Sequence, residues 1–397
     1  MTGDVPATRV APPDFLADPA LRAVLAALPR ARLVGGCVRD ALLGREVADI
    51  DIGTPEPPEA VITALARAGL KSVPTGLAHG TVTAVSGHRG FEVTTLRRDV
   101  ATDGRHAMVA FTADWRADAA RRDFTINAMS MTPDGEVFDY FGGLADLEAG
   151  RVRFVGEATQ RIAEDYLRVL RFFRFHARYG HGTPDAVALA AIRDGGGGLA
   201  RLSAERVWSE LKRILTGPHP AGTVALMQDC GVLAVLLPET VGADALDALV
   251  GAGGPADPVL RLAALIGGDG AQVAARLRLS GAEATRLSAM LTTKAPPDGA
   301  TDDDLRRALA DAPKDALLGA AWLAGRSPAL RARIVGMPVP VFPLHGRDLA
   351  ASGVPAGPAM GELLRSLRAW WLEGGCRADT AACRAELAQR LARHAGG

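Results

Sequence analysis

Hydrophobic and polar positions follow two rhythms along this chain, and the change comes near residue 150. Before it, short apolar runs are broken by glycine and charge. The pattern predicts a helix over 16–28, a short strand in "ARLVGG", a brief helix in "CVRDALLG" closed by Gly44, and a strand in "DIDIGT". "PEAVITALARAG" reads as a helix with a glycine stop. "HGTVTAVSGHRGFEVTTLR" reads as two β-rich runs joined by the hairpin signal "SGHRG". Residues 98–117 are irregular and charged, which suits a mobile loop. "ADAARRDFTINAM" returns to helix and "MTPDGEVFDYF" to a hairpin. The sum is a small α/β unit with a mixed sheet.

After Gly150 strand signals nearly vanish. One long helix is predicted over 158–179, with others over 185–193 and 204–215, and "DGGGG" at 194–198 reads as a loop. "GAGGPADP" at 251–258 and "KAPPDGATDDD" at 294–304 read as hinges or seams. The expected class is α+β: a small mixed-sheet head followed by an all-helical arm.

Composition narrows the partners. The 397 residues carry 45 basic and 45 acidic side chains, a formal net charge of zero. No global basic field announces a nucleic acid, so any such partner needs a local patch. The four cysteines, Cys37, Cys230, Cys376 and Cys383, lack CxxC spacing and read as reduced thiols. No secretory leader is evident, and no apolar run approaches the roughly 18 residues of a membrane span. A cytoplasmic protein with no membrane contact is expected.

The stretch "LVGGCVRDALLGREVADIDIGT" carries the chemistry. On a strand, Asp49 and Asp51 point the same way while Ile50 and Ile52 point to the core. Adjacent carboxylates repel unless solvated or bridged by a divalent cation. Mg²⁺ prefers carboxylate and phosphate oxygens with water. Such a site suits nucleotidyl transfer, in which two metals clamp the attacking and leaving oxygens. Gly35 and Gly36 end a strand and open a helix, where backbone N–H groups can meet a triphosphate. Arg39 adds a charge-assisted donor one turn later.

In order and spacing, "GGCVRDALLGREVADIDIGT" resembles the signature motif of the class II tRNA nucleotidyltransferase and bacterial poly(A) polymerase family, within the DNA polymerase β superfamily. "RRDFTINAM" is similar to its second motif and "YFGGLADLEAGRVR" to its hinge motif. "EDYLRVLRFFRF" resembles the nucleotide-selecting motif, and "LSAERVWSELKRIL" the last. The resemblance implies a head over 1–148, a neck over 149–222, a helical body over 223–330 and a tRNA-binding tail over 331–397. It implies an enzyme that builds or repairs the CCA end of tRNA from CTP and ATP without a nucleic-acid template. Gly36 and Arg39 would then touch the triphosphate, and Asp49 and Asp51 would hold Mg²⁺. Arg122 and Asp123 would contact the nucleotide, Asp123 near the ribose. Glu92, in "FEVTTLR", stands where the superfamily places a third carboxylate.

The segment "EDYLRVLRFFR" places Asp165, Arg168, Arg171 and Arg174 at i, i+3 steps, a row that lags about 60° per step around a helix. Cytosine and adenine both present an amino donor beside a ring-nitrogen acceptor. A carboxylate only accepts and a guanidinium only donates. Asp165 could accept from the amino group while Arg168 donates to the ring nitrogen. Guanine and uracil present the reverse order and would face opposed groups, at a cost sufficient for roughly 10³-fold discrimination. Arg171 would orient Asp165 or stack on the base, and Arg174 would support the triphosphate or the network.

An acceptor RNA would approach from the helical side, with Arg201, Arg206, Lys212 and Arg213 as one candidate phosphate cluster. Trp370 and Trp371 read as packing residues. None of the eight histidines is adjacent to an aspartate, so the phosphohydrolase domain that some members append is not expected. Two rivals stand beside the leading reading. One is a poly(A) polymerase, which tends to carry a basic C-terminal extension that this neutral chain lacks. The other is a non-catalytic RNA-binding relative, which would be expected to lose Asp49, Asp51, Arg122 or Asp165.

The switch from C to A addition needs one pocket to admit a larger base. The resemblance assigns this to the loop within "RRDVATDGRHAMVAFTADWRADAA", where Gly104 suits a lever. Deleting residues 99–107 is expected to stop addition at CC. The check is gel resolution of the products formed on tRNA lacking its CCA, and continued addition of the final A would refute it.

Overall fold

The protein is described by a computed structural model over residues 4–102 and 107–395, with backbone alone at 99–102, 107–109 and 394–395. Gly104 lies outside the described residues, as do the side chains of the 99–107 lever segment. The chain packs into two compact units. The first comprises Met1–Glu210, Gly217–His219 and Leu226–Pro238, and the second comprises Leu211–Thr216, Pro220–Ala225 and Glu239–Gly397.

In chain order the first unit begins β1 (Thr8–Arg9), α1 (Pro19–Ala27), β2 (Arg32–Val34), α2 (Gly36–Leu42), β3 (Asp51–Thr54), α3 (Pro58–Arg67) and β4 (Lys71–Gly76). It continues β5 (Thr81–Ser86), β6 (Arg89–Thr95), β7 (Arg97–Thr102), β8 (Ala107–Phe111), α4 (Trp115–Ala120), β9 (Ser130–Met131) and β10 (Glu136–Phe138). Helices α5 (Gly143–Glu148), α6 (Ala158–Glu164), α7 (Leu167–Tyr179), α8 (Ala186–Gly195) and α9 (Ala204–Thr216) follow. Eight strands form one mixed sheet in the order β1-β10-β9-β2-β3-β6-β5-β4, and β7 pairs with β8 alone. The β3–β6 pair is parallel and sets Asp51 opposite Glu92. The fold is α+β, with every named strand before residue 139.

Several expectations are corrected. The "DIDIGT" strand starts at Asp51, so Asp49 and Ile50 lie in the preceding loop, and Ile50 is only half-buried. Residues 98–117 hold a strand pair and the start of α4 rather than an irregular loop. Only the α4 part of "ADAARRDFTINAM" is α-helical, with a 3-10 turn at Thr125–Asn127. The helix over 158–179 is broken: Asp165 stands in extended conformation (φ −155°, ψ 104°) between α6 and α7. The "DGGGG" run is not a plain loop but enters a 3-10 turn, Gly196–Arg201. There a Cβ on Gly198 would lie 1.9 Å from the Tyr166 ring. Tyr166 thus docks on backbone that only glycine leaves open, and the chain turns at Asp165 to bring it there.

Four rings close the core behind this break. Phe124 packs on Phe154 and Phe175 at 5.1 Å between centroids, and Phe154 stacks on Phe172 at 5.9 Å. The segment 123–125 is clipped to 153–155 by main-chain bonds from Thr125 N to Arg153 O (3.0 Å) and Val155 N to Asp123 O (3.0 Å). Buried Asp146, from the hinge motif, accepts from Thr125 Oγ1 (2.6 Å), Arg151 Nε (2.6 Å) and Arg153 Nε (2.9 Å).

The second unit is helical, apart from an isolated bridge between Thr240 and Ile266. The segments 251–258 and 294–304 join consecutive helices inside it. Trp371 is buried among Leu344, Leu349, Leu367 and Leu387, and Trp370 packs against that cluster, as expected of packing residues.

Phe172 is fully buried, so Phe172→Ala is expected to cost about 3–5 kcal/mol. The check is the shift in denaturant midpoint of the first unit's unfolding transition.

Candidate active site

The β2–α2 turn begins the site. Gly35 has φ +73°, and a Cβ there would lie 2.7 Å from Arg122 Nη1. Both the conformation and the close approach demand glycine. The Gly35 amide donates to Met129 O (3.2 Å), so this N–H is already spent. That corrects the expectation that both glycine amides face a phosphate and leaves that role to the α2 turn opened by Gly36.

A cleft of about 690 Å³ opens beside this turn. Gly35, Gly36 and Arg39 line one side, with Asp49 and Asp51 of the β3 entry. Arg122 and Asp123 line the floor, and Asp165, Arg168, Arg171 and Arg174 line the wall made by α7 and its lead-in. Glu92 is exposed and outside this lining, although its strand position is directly opposite Asp51. Six arginines and six acids line the cleft, the former including Arg178 and the latter Asp40 and Glu46. The neutral chain therefore builds its local field by separating signs rather than by accumulating one.

That separation comes from pairing. Arg39 is buried; Nη2 donates to Tyr179 OH (2.6 Å), Nε to Asp40 Oδ1 (3.1 Å), and Nη1 to Asn127 Oδ1. Its guanidinium lies 4.1 Å from the Tyr179 ring centroid, a cation–π contact. Asp123 accepts from Arg171 Nε (2.7 Å), Asn127 Nδ2 (2.9 Å) and its neighbour's amide at Phe124 (2.9 Å). Burial pushes the Asp123 carboxyl up, but the Arg171 charge and these hydrogen bonds together hold it below the usual carboxylate range. Arg174 Nε donates to buried Glu210 Oε2 (2.7 Å).

Asp165 is not on the helical row predicted for it. Standing before α7, its Oδ1 caps the Leu167 amide (3.1 Å) and its Oδ2 receives Arg206 Nη2 (2.7 Å). One expectation changes accordingly. Arg171 orients Asp123 rather than Asp165, and Arg206, of the proposed phosphate cluster, is paired with Asp165. Lys212, from the same cluster, pairs with Glu283 (3.3 Å). Arg168 is held by Glu164 Oε2 (2.7 Å), Arg161 O (2.8 Å) and Arg121 O (3.1 Å). Those bonds use three of the five guanidinium donors.

The carboxylates behave differently. Asp49, Asp51 and Glu92 enter no salt bridge among the described residues. The Asp51 carboxyl is raised by burial, with Glu92 and Asp49 pushing the same way and Arg122 opposing. Like charges that Arg122 offsets only in part are what a divalent cation relieves. Among the described residues no three His, Cys, Asp or Glu side chains converge into a protein-only cage. The donor set instead suits a cation held by one or two carboxylates and completed by substrate phosphates. Cys37, beside them, is raised to about 11 chiefly by burial and stays a neutral thiol.

Sequence reasoning missed Asn127, Tyr179, Asp40 and Glu210. Asn127 lies within "RRDFTINAM", but nothing in its spacing says that it meets Arg39, 88 residues away.

A model of the poly A polymerase head domain matches residues 31–153, and one described as a probable RNA and SrmB-binding site of polymerase A matches 183–243. The mouse (Mus musculus) mitochondrial CCA tRNA nucleotidyltransferase 1 is 39% identical over 368 residues, 88% of this chain and 84% of its own length. The chain belongs to the CCA tRNA nucleotidyltransferase family. A CCA-adding enzyme of Lactiplantibacillus plantarum is 41% identical over 214 residues, about half of each chain (53% and 51%). The Bacillus stearothermophilus CCA-adding enzyme, crystallised with CTP, superposes with a TM-score of 0.74 at 26% identity, over 96% of this chain and 99% of that one. With the family come nucleotidyltransferase activity and dependence on a divalent metal. Among the described residues, no helix is long and apolar enough to cross a membrane.

The depressed Asp123 carboxyl has a measurable consequence. Its contribution to stability is complete above the unfolded carboxyl's ordinary value, about 3.9, and is lost as pH falls through the lower folded value. The stability deficit of Asp123→Asn is therefore expected to be largest near neutral pH and to shrink below about pH 4. Denaturant titrations of both proteins across that range provide the check.

Proposed function

We propose that this nucleotidyltransferase completes the 3′ CCA of tRNA from CTP and ATP, reading the incoming base with Asp165 and Arg168. The 3′-hydroxyl of the acceptor attacks the α-phosphate and pyrophosphate leaves. In this reading Asp49 and Asp51 hold Mg²⁺, with Glu92 beside them on the neighbouring strand. A cation held there would offset the triphosphate charge and favour ionisation of the attacking hydroxyl. Arg39, fixed on three sides, meets the triphosphate with the α2 turn opened by Gly36. Arg122 adds charge on the same side, and Asp123 faces the ribose.

The observation that carries this reading is how Asp165 and Arg168 are held. Arg206 and the Leu167 amide fix the carboxylate, leaving lone pairs to accept from an amino group. Glu164 and two carbonyls fix the guanidinium, leaving donors for a ring nitrogen. Both face the cleft that Asp49 and Asp51 also line. An acceptor beside a donor matches cytosine and adenine and opposes guanine and uracil. Arg171 and Arg174, tied to Asp123 and Glu210, keep the α7 wall in place.

We assign 1–148 to the catalytic head, 149–222 to the base-reading neck, 223–330 to a helical body and 331–397 to a tail that engages the tRNA acceptor end. The four cysteines are free, which favours a reducing compartment such as the cytoplasm. The mouse and human relatives are named as mitochondrial. The poly A polymerase description of the head domain keeps one rival product in view, a long A tail.

One assay separates these outcomes: purified protein, Mg²⁺, tRNA lacking its CCA, and each labelled nucleotide in turn. Ordered addition of C, C and A is expected, whereas a long A tail would support the polymerase. Asp165→Ala and Arg168→Ala are each expected to erode preference for CTP and ATP over UTP and GTP by at least about tenfold. Variants that keep full preference would sink the base-reading role.

A further inference from the structure

Asn127 stands where the two halves of the cleft meet. It closes the 3-10 turn Thr125–Asn127 and is 7% exposed. Its Oδ1 accepts from Arg39 Nη1, and its Nδ2 donates to Asp123 Oδ1 at 2.9 Å. Neither partner tolerates a reversed amide, because a guanidinium only donates and an ionised carboxylate only accepts. The amide orientation is therefore dictated by its neighbours. Asp123 in turn grips Arg171 (2.7 Å), and Arg39 grips Asp40 and Tyr179. A continuous polar chain thus runs from Asp40 through Arg39, Asn127 and Asp123 to Arg171, with donors and acceptors alternating throughout.

We propose that Asn127 is a positioning residue for nucleotide binding, whose amide locks Arg39 and Asp123 into one register. The triphosphate and the sugar–base end of a single nucleotide are then gripped together rather than independently. This rests on the functional reading above, in which Arg39 serves the triphosphate and the Asp123–Arg171 pair serves the ribose and base. Asn127 itself touches neither the substrate nor the reacting atoms. Without the bridge, Arg39 keeps Asp40 and Tyr179, and Asp123 keeps Arg171, but the two sets are then joined only indirectly, through the α7 backbone between Arg171 and Tyr179 and the Gly35–Met129 main-chain bond.

The isosteric Asn127→Asp tests this, because it exchanges the Nδ2 donor for an oxygen. Facing position 127 are Arg39 from α2, and Asp123 and Arg122 from its own segment, the latter donating to the Asn127 carbonyl (3.4 Å). Arg171 of α7 lies behind Asp123, and Asp146 of α5 binds Thr125 with its charge already paired to Arg151 and Arg153. In Asn127→Asp at about pH 8 two carboxylates oppose each other, and KM for CTP and ATP is expected to rise at least about tenfold. Lower pH lets the new carboxyl take up a proton and donate to Asp123 again. The gap from wild type is therefore expected to close toward about pH 5.5. Asn127→Ala, with no group to titrate, is expected to show a loss that pH does not restore.

Nucleotide incorporation on tRNA and calorimetric CTP binding are measured together, with thermal unfolding of each variant. A wild type that binds CTP but extends no tRNA fails the functional reading, while the pH comparison of binding still tests the bridge. Parallel pH profiles for wild type and Asn127→Asp overturn the proposal. So do variants within about twofold of wild type in KM, or variants unfolded at assay temperature, which would assign Asn127 a purely structural role.

Discussion

The ion pair between buried Asp123 and half-buried Arg171 is the constraint on which the cleft depends. Asp123 comes from the turn after α4 and Arg171 from the middle of α7, 48 residues later. Their contact ties the sheet-bearing segment to the helical wall at the point where a nucleotide would lie. A charge pair with one member buried is poor evidence of stabilisation, since desolvation of that member offsets much of the attraction. It is good evidence of registration, because either charge alone would be costly to leave behind. Phe124 and Phe172, each next in sequence to one of the pair, are both fully buried in one aromatic cluster. The apolar cluster supplies the driving force, and the ion pair selects the register in which the rings can pack.

Around that pair the cleft sorts its charges. Arg39, Arg171, Arg174 and Asp165 are each tied to a partner of opposite sign, so their positions are fixed before substrate arrives. Asp49, Asp51 and Glu92 are left with like-charged neighbours. Such pre-organisation means that little reorganisation accompanies binding, which is where electrostatic catalysis draws its advantage. It also explains how a chain with no net charge can serve a polyanionic substrate. The field is local, and its positive side is fixed by internal carboxylates rather than by excess arginine.

The break between α6 and α7 shows how a local defect places a carboxylate at the cleft. A continuous helix would have put Asp165 on a rotating row with three arginines. Docking of Tyr166 on Gly198 interrupts it, and the extended backbone at Asp165 frees its carboxylate to cap Leu167, meet Arg206 and still face the cleft. The glycine run and the acidic residue, about 30 positions apart, act as one device.

Much was legible in the chain itself. Periodicity of 2 and then 3.6 placed the mixed sheet ahead of the helices. Local spacing picked out Gly35, Gly36, Arg39, Asp49, Asp51, Asp165, Arg168, Arg171 and Arg174, and the motif resemblance added Arg122 and Asp123; all of these line one cleft, whereas Glu92, also taken from the resemblance, lies outside it. Those signals are local because strand alternation, helix pitch and turn chemistry act over a few residues. Pairing is not local. That Arg171 takes Asp123 rather than Asp165, that Arg206 is drawn to Asp165, and that Asn127 meets Arg39 follow from how distant segments pack. The long-range contacts of Phe124, Tyr166 and Gly198 decide these partnerships, and no short window of sequence contains them.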